Sequence, residues 1–245
     1  MTKKKKKRKQ SRQSSFPDIM RDVRFVQPDD TFRYQCSCCG DCCRDVGDAI
    51  MLESLDAYRL ARYLKESGHD VNGPEDVFLQ YAHPLSLDAK TGYPIFLLNT
   101  DGPRNACVFL EDNRCAVQPA KPRACRMYPM SAGPKDDGSG FEYAIVSQKN
   151  HHFAGPELRA GDWMDANLSE EDRAFVTLDA ASLKELAPLI IMLKRLGAGQ
   201  DEILRPLIWF RYFCFDPDED FLPRYERNQD SLKNVLTEML ERRLR

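Results

Sequence analysis

The chain has 245 residues, of which 42% are hydrophobic and 30% are charged. A chain of this length can bury the core of one domain with extensions or the cores of two small domains. No apolar run approaches the roughly 18–20 residues that span a bilayer, and no apolar segment follows the basic N-terminal residues as in a secretory signal. The composition therefore predicts a cytoplasmic protein that does not associate with membranes.

The net charge of −2 hides an uneven distribution of charge. Eight basic residues precede Asp18, the first acidic residue, whereas the rest of the chain has 28 basic and 38 acidic residues. An acidic body disfavours a nucleic-acid-binding surface, which leaves the basic segment as the one candidate contact for nucleic acid or an acidic partner. A solvated tail is the preferred interpretation of that segment. Residues 1–17 are predicted to form a disordered tail because like charges repel and little there can pack. Pro17 begins a short predicted helix that runs to about Val23.

A short predicted strand, Thr31–Tyr34, leads into the most distinctive part of the chain, where five of the nine cysteines lie within residues 36–43. A reducing cytosol disfavours disulfides, and adjacent cysteines are poorly placed to bridge each other because their Cα atoms are only about 3.8 Å apart. Metal binding is therefore the preferred interpretation, and a disulfide framework is the alternative. Thiolates are soft ligands that suit zinc, copper(I) or iron–sulfur clusters.

The spacing of these cysteines supports the metal interpretation. Cys36, Cys39 and Cys42 follow one another with two residues between each pair, an arrangement found in zinc sites and in ferredoxin-like iron–sulfur sites. Gly40 permits the intervening turn because it adopts positive φ without strain. In an extended backbone Cys43 points away from Cys42, so one is expected to bind the first metal while the other faces a second site or the core.

Two helices and a hairpin are predicted next. The first helix follows Ser54, a favourable N-cap residue, and stops at Gly68, and the second spans Pro74–Tyr81. Two apolar runs, Leu85–Leu87 and Ile95–Leu98, flank a turn and predict a β-hairpin.

The remaining cysteines of this region lie on further short elements. Cys107–Leu110 and Cys115–Val117 flank a turn and predict a second hairpin. A single helical turn is predicted around Arg123–Cys125. A last hairpin is predicted from two segments, Tyr128–Ala132 and Phe141–Val146.

The last third of the chain is mostly helical in pattern. Ser169 is a predicted N-cap, and a helix over Asp179–Leu196 is predicted to break or bend at Pro188. The segment Ile203–Phe215 is apolar and aromatic, and its pattern does not distinguish a buried helix from a strand. Apolar residues on one face of Leu232–Leu244 predict an amphipathic C-terminal helix.

These elements predict an α+β fold with a small cysteine-cluster core of short strands and helices and a C-terminal helical extension. The predicted organisation is a metal-binding domain at residues 18–150, after the tail, followed by a mostly helical extension at residues 151–245.

Four segments that contain the cysteines resemble the YkgJ-type cysteine-cluster family, which is described as a zinc- or iron-chelating domain with a CxxCxxCC signature. The segments are Phe32–Arg44, Cys107–Leu110, Arg114–Val117 and Lys121–Pro129. The resemblance implies seven metal ligands, namely Cys36, Cys39, Cys42, Cys43, Cys107, Cys115 and Cys125. Cys38 and Cys214 fall outside the family pattern. Lys121 stands where the family usually has arginine, so it keeps the charge but not the bidentate hydrogen bonding.

The preferred functional prediction is a cytoplasmic metal-binding protein that holds zinc or an iron–sulfur cluster in a structural, redox or chelating role. Some relatives in the wider family are flagellin lysine N-methylases that use an iron–sulfur cluster and S-adenosylmethionine. The resemblance therefore also implies an iron–sulfur-dependent protein-modifying enzyme as an alternative. A third hypothesis is an interaction module, in which zinc staples the fold and the tail or the C-terminal helices recruit a protein partner.

Other polar residues near the cysteines have two interpretations each. His151 and His152 would add ligands, but adjacent histidines point in different directions, so an ordinary loop pair is preferred. Arg44, Arg123 and Arg126 flank cysteines, where they either stabilise thiolates or pair with acidic groups, and the sequence does not favour one role over the other.

Overall fold

The structure, a computed structural model, describes residues 23–146 and 150–245. The predicted tail at residues 1–17 lies outside these ranges, and so does the predicted helix from Pro17, except for Val23, which begins a strand. Helices and short antiparallel strands make up the described chain, which confirms the α+β class. Within the same ranges, no helix combines the length and the apolar character needed to cross a bilayer.

The elements of the described chain are as follows. The strands are β1 (Val23–Val26), β2 (Thr31–Arg33), β3 (Ala82–Ser86), β4 (Pro94–Leu98), β5 (Thr100–Asp101), β6 (Ala106–Cys107), β7 (Leu110–Glu111), β8 (Arg114–Cys115), β9 (Met130–Pro134), β10 (Phe141–Val146) and β11 (Glu157–Arg159). The helices are α1 (Ser54–Glu66), α2 (Pro74–Tyr81), α3 (Arg123–Met127), α4 (Ala160–Asn167), α5 (Glu170–Arg195), α6 (Gln200–Ile208) and α7 (Phe221–Leu244). Short 3₁₀ turns span Asp41–Cys43, Gln118–Ala120 and Asn150–Ala154, and a π-helical turn spans Trp209–Phe213.

Two small antiparallel sheets return the chain to its N-terminal part. Strand β10 lies between β1 and β9, with Val26 opposite Tyr143, and strand β11 pairs with β2, with Leu158 opposite Phe32. The predicted β9–β10 hairpin and the predicted strand at Thr31 are confirmed. The two sheets bring the chain around residue 150 back beside the first cysteine segment.

Helix α1 confirms the predicted helix but not its predicted cap. Glu53 occupies the N-cap position, and its backbone N–H donates to the Asp56 carboxylate at 3.4 Å. The predicted cap at Ser54 is wrong because Ser54 is already helical and its hydroxyl donates to the Arg211 carbonyl. This bond connects α1 to the π-helical turn. The next helix, α2, has the predicted bounds.

The strands between residues 82 and 115 form three small hairpins. Strand β3 pairs with β4, as predicted. Strand β7 pairs with β8 around a turn, with Leu110 opposite Cys115. The second predicted hairpin is therefore only partly confirmed, because Cys107 pairs with Thr100 of β5 rather than with the segment that follows Cys115.

The C-terminal helices explain two outcomes of the sequence patterns. Ser169 caps α5 as predicted, since its hydroxyl accepts the Asp172 N–H at 3.1 Å. The predicted break at Pro188 is wrong because α5 runs through it. Proline has no N–H, so the Lys184 carbonyl, four residues before Pro188, has no helical donor. Both residues are exposed, so water can hydrate that carbonyl. The segment Ile203–Phe215 is helical, and α7 confirms the C-terminal helix.

Buried apolar residues connect the cysteine region to these helices. One core contains Phe32, Tyr34, Met127 and Met164, so it joins β2, α3 and α4. The first cysteine segment, residues 36–43, begins just after Tyr34, and the second, residues 107–125, ends just before Met127. This core therefore holds the start of the first segment and the end of the second. In another core, Tyr58 of α1 packs against α5 and α7.

Candidate metal centre

The first cysteine segment turns tightly at Gly40, whose φ of +72° confirms the sequence expectation. The Cys43 N–H donates to the Gly40 carbonyl at 3.0 Å and closes the 3₁₀ turn. A Cβ atom at Gly40 would lie 2.7 Å from Arg44 Nη1 and 3.1 Å from Asn113 Cα. Only glycine combines this backbone conformation with so close an approach to the second segment.

Arg44 connects the two cysteine segments. Its Nη1 donates to the Cys39 carbonyl at 2.7 Å, and its Nη2 donates to Asn113 Oδ1. Asn113 lies in the turn of the β7–β8 hairpin, and Cys115 follows in β8. Arg44 therefore holds the first segment against the hairpin, while Asp41, 3.5 Å from its Nη1, partly balances its charge.

The Cys39 sulfur accepts a hydrogen bond from the Asp41 N–H at 3.4 Å. Burial raises the pKa values of Cys107 and Cys115, and the backbone N–H groups of Phe109 and Val117 act in the opposite direction. Donors aimed at sulfur favour the thiolate over the thiol, and such bonds also tune a metal held by that sulfur. These donors thus oppose the effect of burial on the sulfurs that they face.

A cavity of about 440 Å³ lies between the two segments. Its wall includes six cysteines, namely Cys36, Cys38, Cys39, Cys42, Cys43 and Cys115. Among these six, Cys38 falls outside the family pattern, and its φ of +53° is unusual for a residue other than glycine. All nine cysteines of the chain lie in the described ranges, and none forms a disulfide.

Two predicted ligands, Cys107 and Cys125, lie outside the cavity wall, but the charges of neighbouring cysteines affect their ionisation. Burial raises the pKa of Cys125, and the neighbouring Cys107 raises it further. Burial likewise raises the pKa values of Cys107 and Cys115, and the charge of Cys42 raises both of them further. Cysteines of both segments therefore lie close enough to oppose one another's ionisation.

Cys42 and Cys43 do not point in opposite directions, as an extended backbone would require. They lie in a 3₁₀ turn, and their sulfur atoms are 3.8 Å apart. The hydrogen bond from Cys43 lowers the pKa of Cys42 to about 6 and raises that of Cys43. The prediction that they serve separate sides is wrong because both side chains reach the same cavity.

This set of donors fits a soft metal ion. Burial and mutual repulsion both oppose the ionisation of several neighbouring thiols, and a bound cation relieves both effects. Lys121 already lowers the pKa of Cys42, but one positive charge cannot balance several thiolates. Zinc and iron accept thiolate ligands of this kind, and the seven predicted cysteines are the residues that would hold such an ion.

His152 and His151 lie beside the first segment, so their interpretation as an ordinary loop pair is wrong. His152 Nε2 is 3.1 Å from Cys39 Sγ, His151 Nε2 is 3.5 Å from it, and the three groups could hold one ion together. Partial burial acts to raise the pKa of Cys39, but the hydrogen bonds from His152 and His151 outweigh it and lower the value to about 6. In the sequence, the only signal for this contact was that the two histidines are adjacent.

Close backbone packing places these histidines. The Gln35 N–H donates to the His152 carbonyl at 2.9 Å, and the Tyr34 N–H donates to the Pro156 carbonyl at 3.1 Å. A Cβ atom at Gly155 would lie 2.5 Å from the carbonyl carbon of Tyr34. The absence of a side chain at Gly155 therefore lets the histidine turn lie against the start of the first cysteine segment.

Replacing Gly155 by alanine is expected to push these two segments apart. The added methyl group meets backbone atoms that cannot yield easily, so we expect a loss of about 1–3 kcal/mol in the free energy of unfolding. The matched control is Gly133→Ala, since Gly133 has nothing within 4 Å of an added Cβ and needs no positive φ. Urea unfolding of both variants tests this expectation, and equal stability of the two would contradict it.

Comparison with known proteins agrees with this geometry. Residues 35–154 match the family model described as "CxxCxxCC: Putative zinc- or iron-chelating domain". The CxxCxxCC match begins one residue before Cys36 and ends beyond His152, so it contains both cysteine segments and the histidine pair. No match is found among the curated proteins or among the solved structures.

Proposed function

We propose that this protein binds zinc or an iron–sulfur cluster in the cytoplasm through cysteines of two distant segments. The proposed ligands are Cys36, Cys39, Cys42, Cys43, Cys107, Cys115 and Cys125. The metal joins the first cysteine segment to the β7–β8 hairpin and to α3, so its role is structural, chelating or redox. A reducing compartment keeps these thiols available for the metal.

One observation carries the proposal. Cys42 and Cys43 of the first segment share the wall of one cavity with Cys115 of the second. Burial, followed by repulsion between neighbouring cysteines, raises the pKa values of Cys107, Cys115 and Cys125. Thiols that are far apart in the chain are thus gathered where their ionisation needs a compensating cation. A soft metal ion supplies this cation and forms bonds to sulfur as well.

Elemental analysis of the full chain, purified without oxygen and read together with its visible spectrum, tests the proposal. We expect either stoichiometric zinc in a colourless protein or iron and sulfide in a brown one. A protein that holds no zinc and no iron, and that takes up neither after anaerobic loading, would contradict the proposal.

The cavity favours one further candidate function, an iron–sulfur-dependent protein-modifying enzyme such as a lysine N-methylase. Its volume of about 440 Å³ falls within the range of small-molecule sites, and it adjoins the cysteines directly. A brown protein whose spectrum changes with S-adenosylmethionine supports this candidate. Colourless protein with stoichiometric zinc instead favours an interaction module in which the metal staples the fold and a protein partner is recruited.

A further inference from the structure

The histidine pair gives the centre a part that differs in chemistry from the rest. Cys42, Cys43, Cys107, Cys115 and Cys125 supply only sulfur, whereas Cys39 has two imidazole nitrogens beside it. His151 is half exposed and Cys39 is partly exposed. This part of the centre therefore faces solvent and the cavity.

We infer that Cys39, His151 and His152 form a separate mononuclear site for a divalent ion of the zinc class. The inference rests on the proposed function and deepens it, because it assigns Cys39 to a mixed nitrogen–sulfur site instead of the all-cysteine set. One thiolate and two imidazoles leave a tetrahedral ion with an open fourth position, the arrangement of zinc sites that bind water or substrate. Both Cys39 and His152 line the cavity, so that position opens toward it.

The distances between the donor atoms fit this assignment. Zinc–sulfur and zinc–nitrogen bonds of about 2.3 and 2.0 Å, at tetrahedral angles, separate the sulfur from each nitrogen by about 3.5 Å. Cys39 Sγ lies 3.5 Å from His151 Nε2 and 3.1 Å from His152 Nε2. All three donor atoms lie within 4.8 Å of one another. Small shifts of the His152 ring would therefore accommodate an ion.

The orientation of His152 supports the site independently. Its Nδ1 lies 3.0 Å from the Tyr128 hydroxyl, and the side chain is only 3% exposed. Edges of Tyr34 and Tyr128 pack against the ring, with centroids 6.3 and 5.6 Å away. A partner on one ring nitrogen that leaves the other free for the ion is the usual environment of a metal-binding histidine.

The charges nearby suit a cation. Asp41 Oδ2 lies 3.5 Å from His151 Nε2, so a carboxylate and a thiolate both border the site. The same carboxylate group, through Oδ1, lies 3.5 Å from Arg44, which holds the loop in place. A divalent ion bound by Cys39 leaves one positive charge, which Asp41 balances without entering the set of three ligands.

The test measures metal content in the full chain, stripped by a chelator and reloaded with Zn²⁺ or Co²⁺ under anaerobic conditions. His151→Ala and His152→Gln are each expected to lose about one equivalent of zinc per chain and the matching part of the tetrahedral Co²⁺ absorption. The matched control is His69→Ala, which removes an exposed histidine and is expected to retain the full zinc content. Circular dichroism of each variant reports whether it folds.

Different variants separate this inference from the proposed function. Folded His151→Ala is expected to lose one equivalent while it retains the metal of the all-cysteine centre, whereas Cys125→Ser is expected to lose the metal of that centre. Unchanged zinc content and an unchanged Co²⁺ spectrum in His151→Ala overturn the separate site, whatever His152→Gln does to folding. Loss of all metal from a folded His151→Ala also overturns it, because the ligands then form one centre. Full metal retention by Cys125→Ser contradicts the proposed function instead.

Discussion

Replacing Cys125 by serine is expected to release metal from the cysteine centre and to unfold the region that the centre joins. Cys125 lies in α3, and burial together with Cys107 raises its pKa, so its sulfur is placed to ionise only when a cation compensates. A serine hydroxyl is a poor ligand for a soft metal at neutral pH. Because thiolate-bound metal contributes on the order of 10 kcal/mol to folding, its loss is comparable with the whole stability of a typical domain, about 5–15 kcal/mol.

Metal analysis and circular dichroism of the purified variant measure both effects, and Cys39→Ser is the companion substitution in the first segment. Cys214→Ser is the matched control, since Cys214 lies far along the chain and accepts a hydrogen bond from Arg224 Nη2 at 3.0 Å. Cys38→Ser is a second control and is also expected to keep the full metal content. Unchanged metal in both Cys39→Ser and Cys125→Ser would falsify the two-segment centre.

Local patterns predicted much of the fold because the physical cause lies within a few residues. Helix α2 has its predicted bounds, since Pro74 suits the first turn of a helix and apolar residues recur at helical spacing to Tyr81. The Ser169 cap and the β3–β4 hairpin are likewise set by neighbouring residues. The same patterns failed at Ser54, whose hydroxyl bonds a carbonyl 157 residues away.

The arrangement of the candidate centre depended on contacts that no local pattern contains. The spacing of the cysteines and their resemblance to a family pointed to seven ligands, and that ligand set stays a prediction. His152 reaches Cys39 from 113 residues further along the chain, through the pairing of β2 with β11 and the close approach at Gly155. Only these long-range contacts, which place His152 beside Cys39, distinguish it from an ordinary loop histidine.

The shape of the first cysteine segment shows a different limit. An extended backbone separates the side chains of Cys42 and Cys43, but Gly40 starts a 3₁₀ turn that brings their sulfurs to 3.8 Å. The glycine was recognised as the turning point. The 3₁₀ conformation of the next three residues was not predicted, because it involves the hydrogen bond from the Arg44 side chain to the Cys39 carbonyl.

Asp172 is the buried charge on which the joint between α3 and the C-terminal helices depends. Its carboxylate is 1% exposed and receives Arg59 and Arg126, each at 2.6 Å. It also accepts the Ser169 hydroxyl at 2.8 Å, at the start of α5. Arg126 directly follows Cys125, so this carboxylate ties the helix that carries a proposed ligand to the rest of the molecule. Pairing with acidic groups is thus the role that the structure gives Arg126.

Replacing Asp172 by alanine is expected to cost about 3–5 kcal/mol in the free energy of unfolding, because Arg59 and Arg126 both lose the buried carboxylate that lies between them. The matched control is Glu171→Gln, which removes a 41% exposed carboxylate from Arg59 alone and should cost less than about 1 kcal/mol. Urea unfolding at neutral pH measures both values. Equal losses for the two variants would show that burial of Asp172 has no special effect.

The pH dependence of the same substitution tests its electrostatic origin. Burial acts to raise the pKa of Asp172, but Arg59 and Arg126 outweigh it, and the pKa in the folded protein lies below its ordinary value. The stabilisation is therefore fully present above the unfolded-state pKa of about 4 and is lost as the pH falls through the lower folded value. The difference in unfolding free energy between the unsubstituted protein and Asp172→Asn, which keeps the shape and removes the charge, should accordingly shrink below about pH 4. A difference that stays constant down to acid pH would mean that packing, and not the ion pairs with Arg59 and Arg126, makes Asp172 important to the joint.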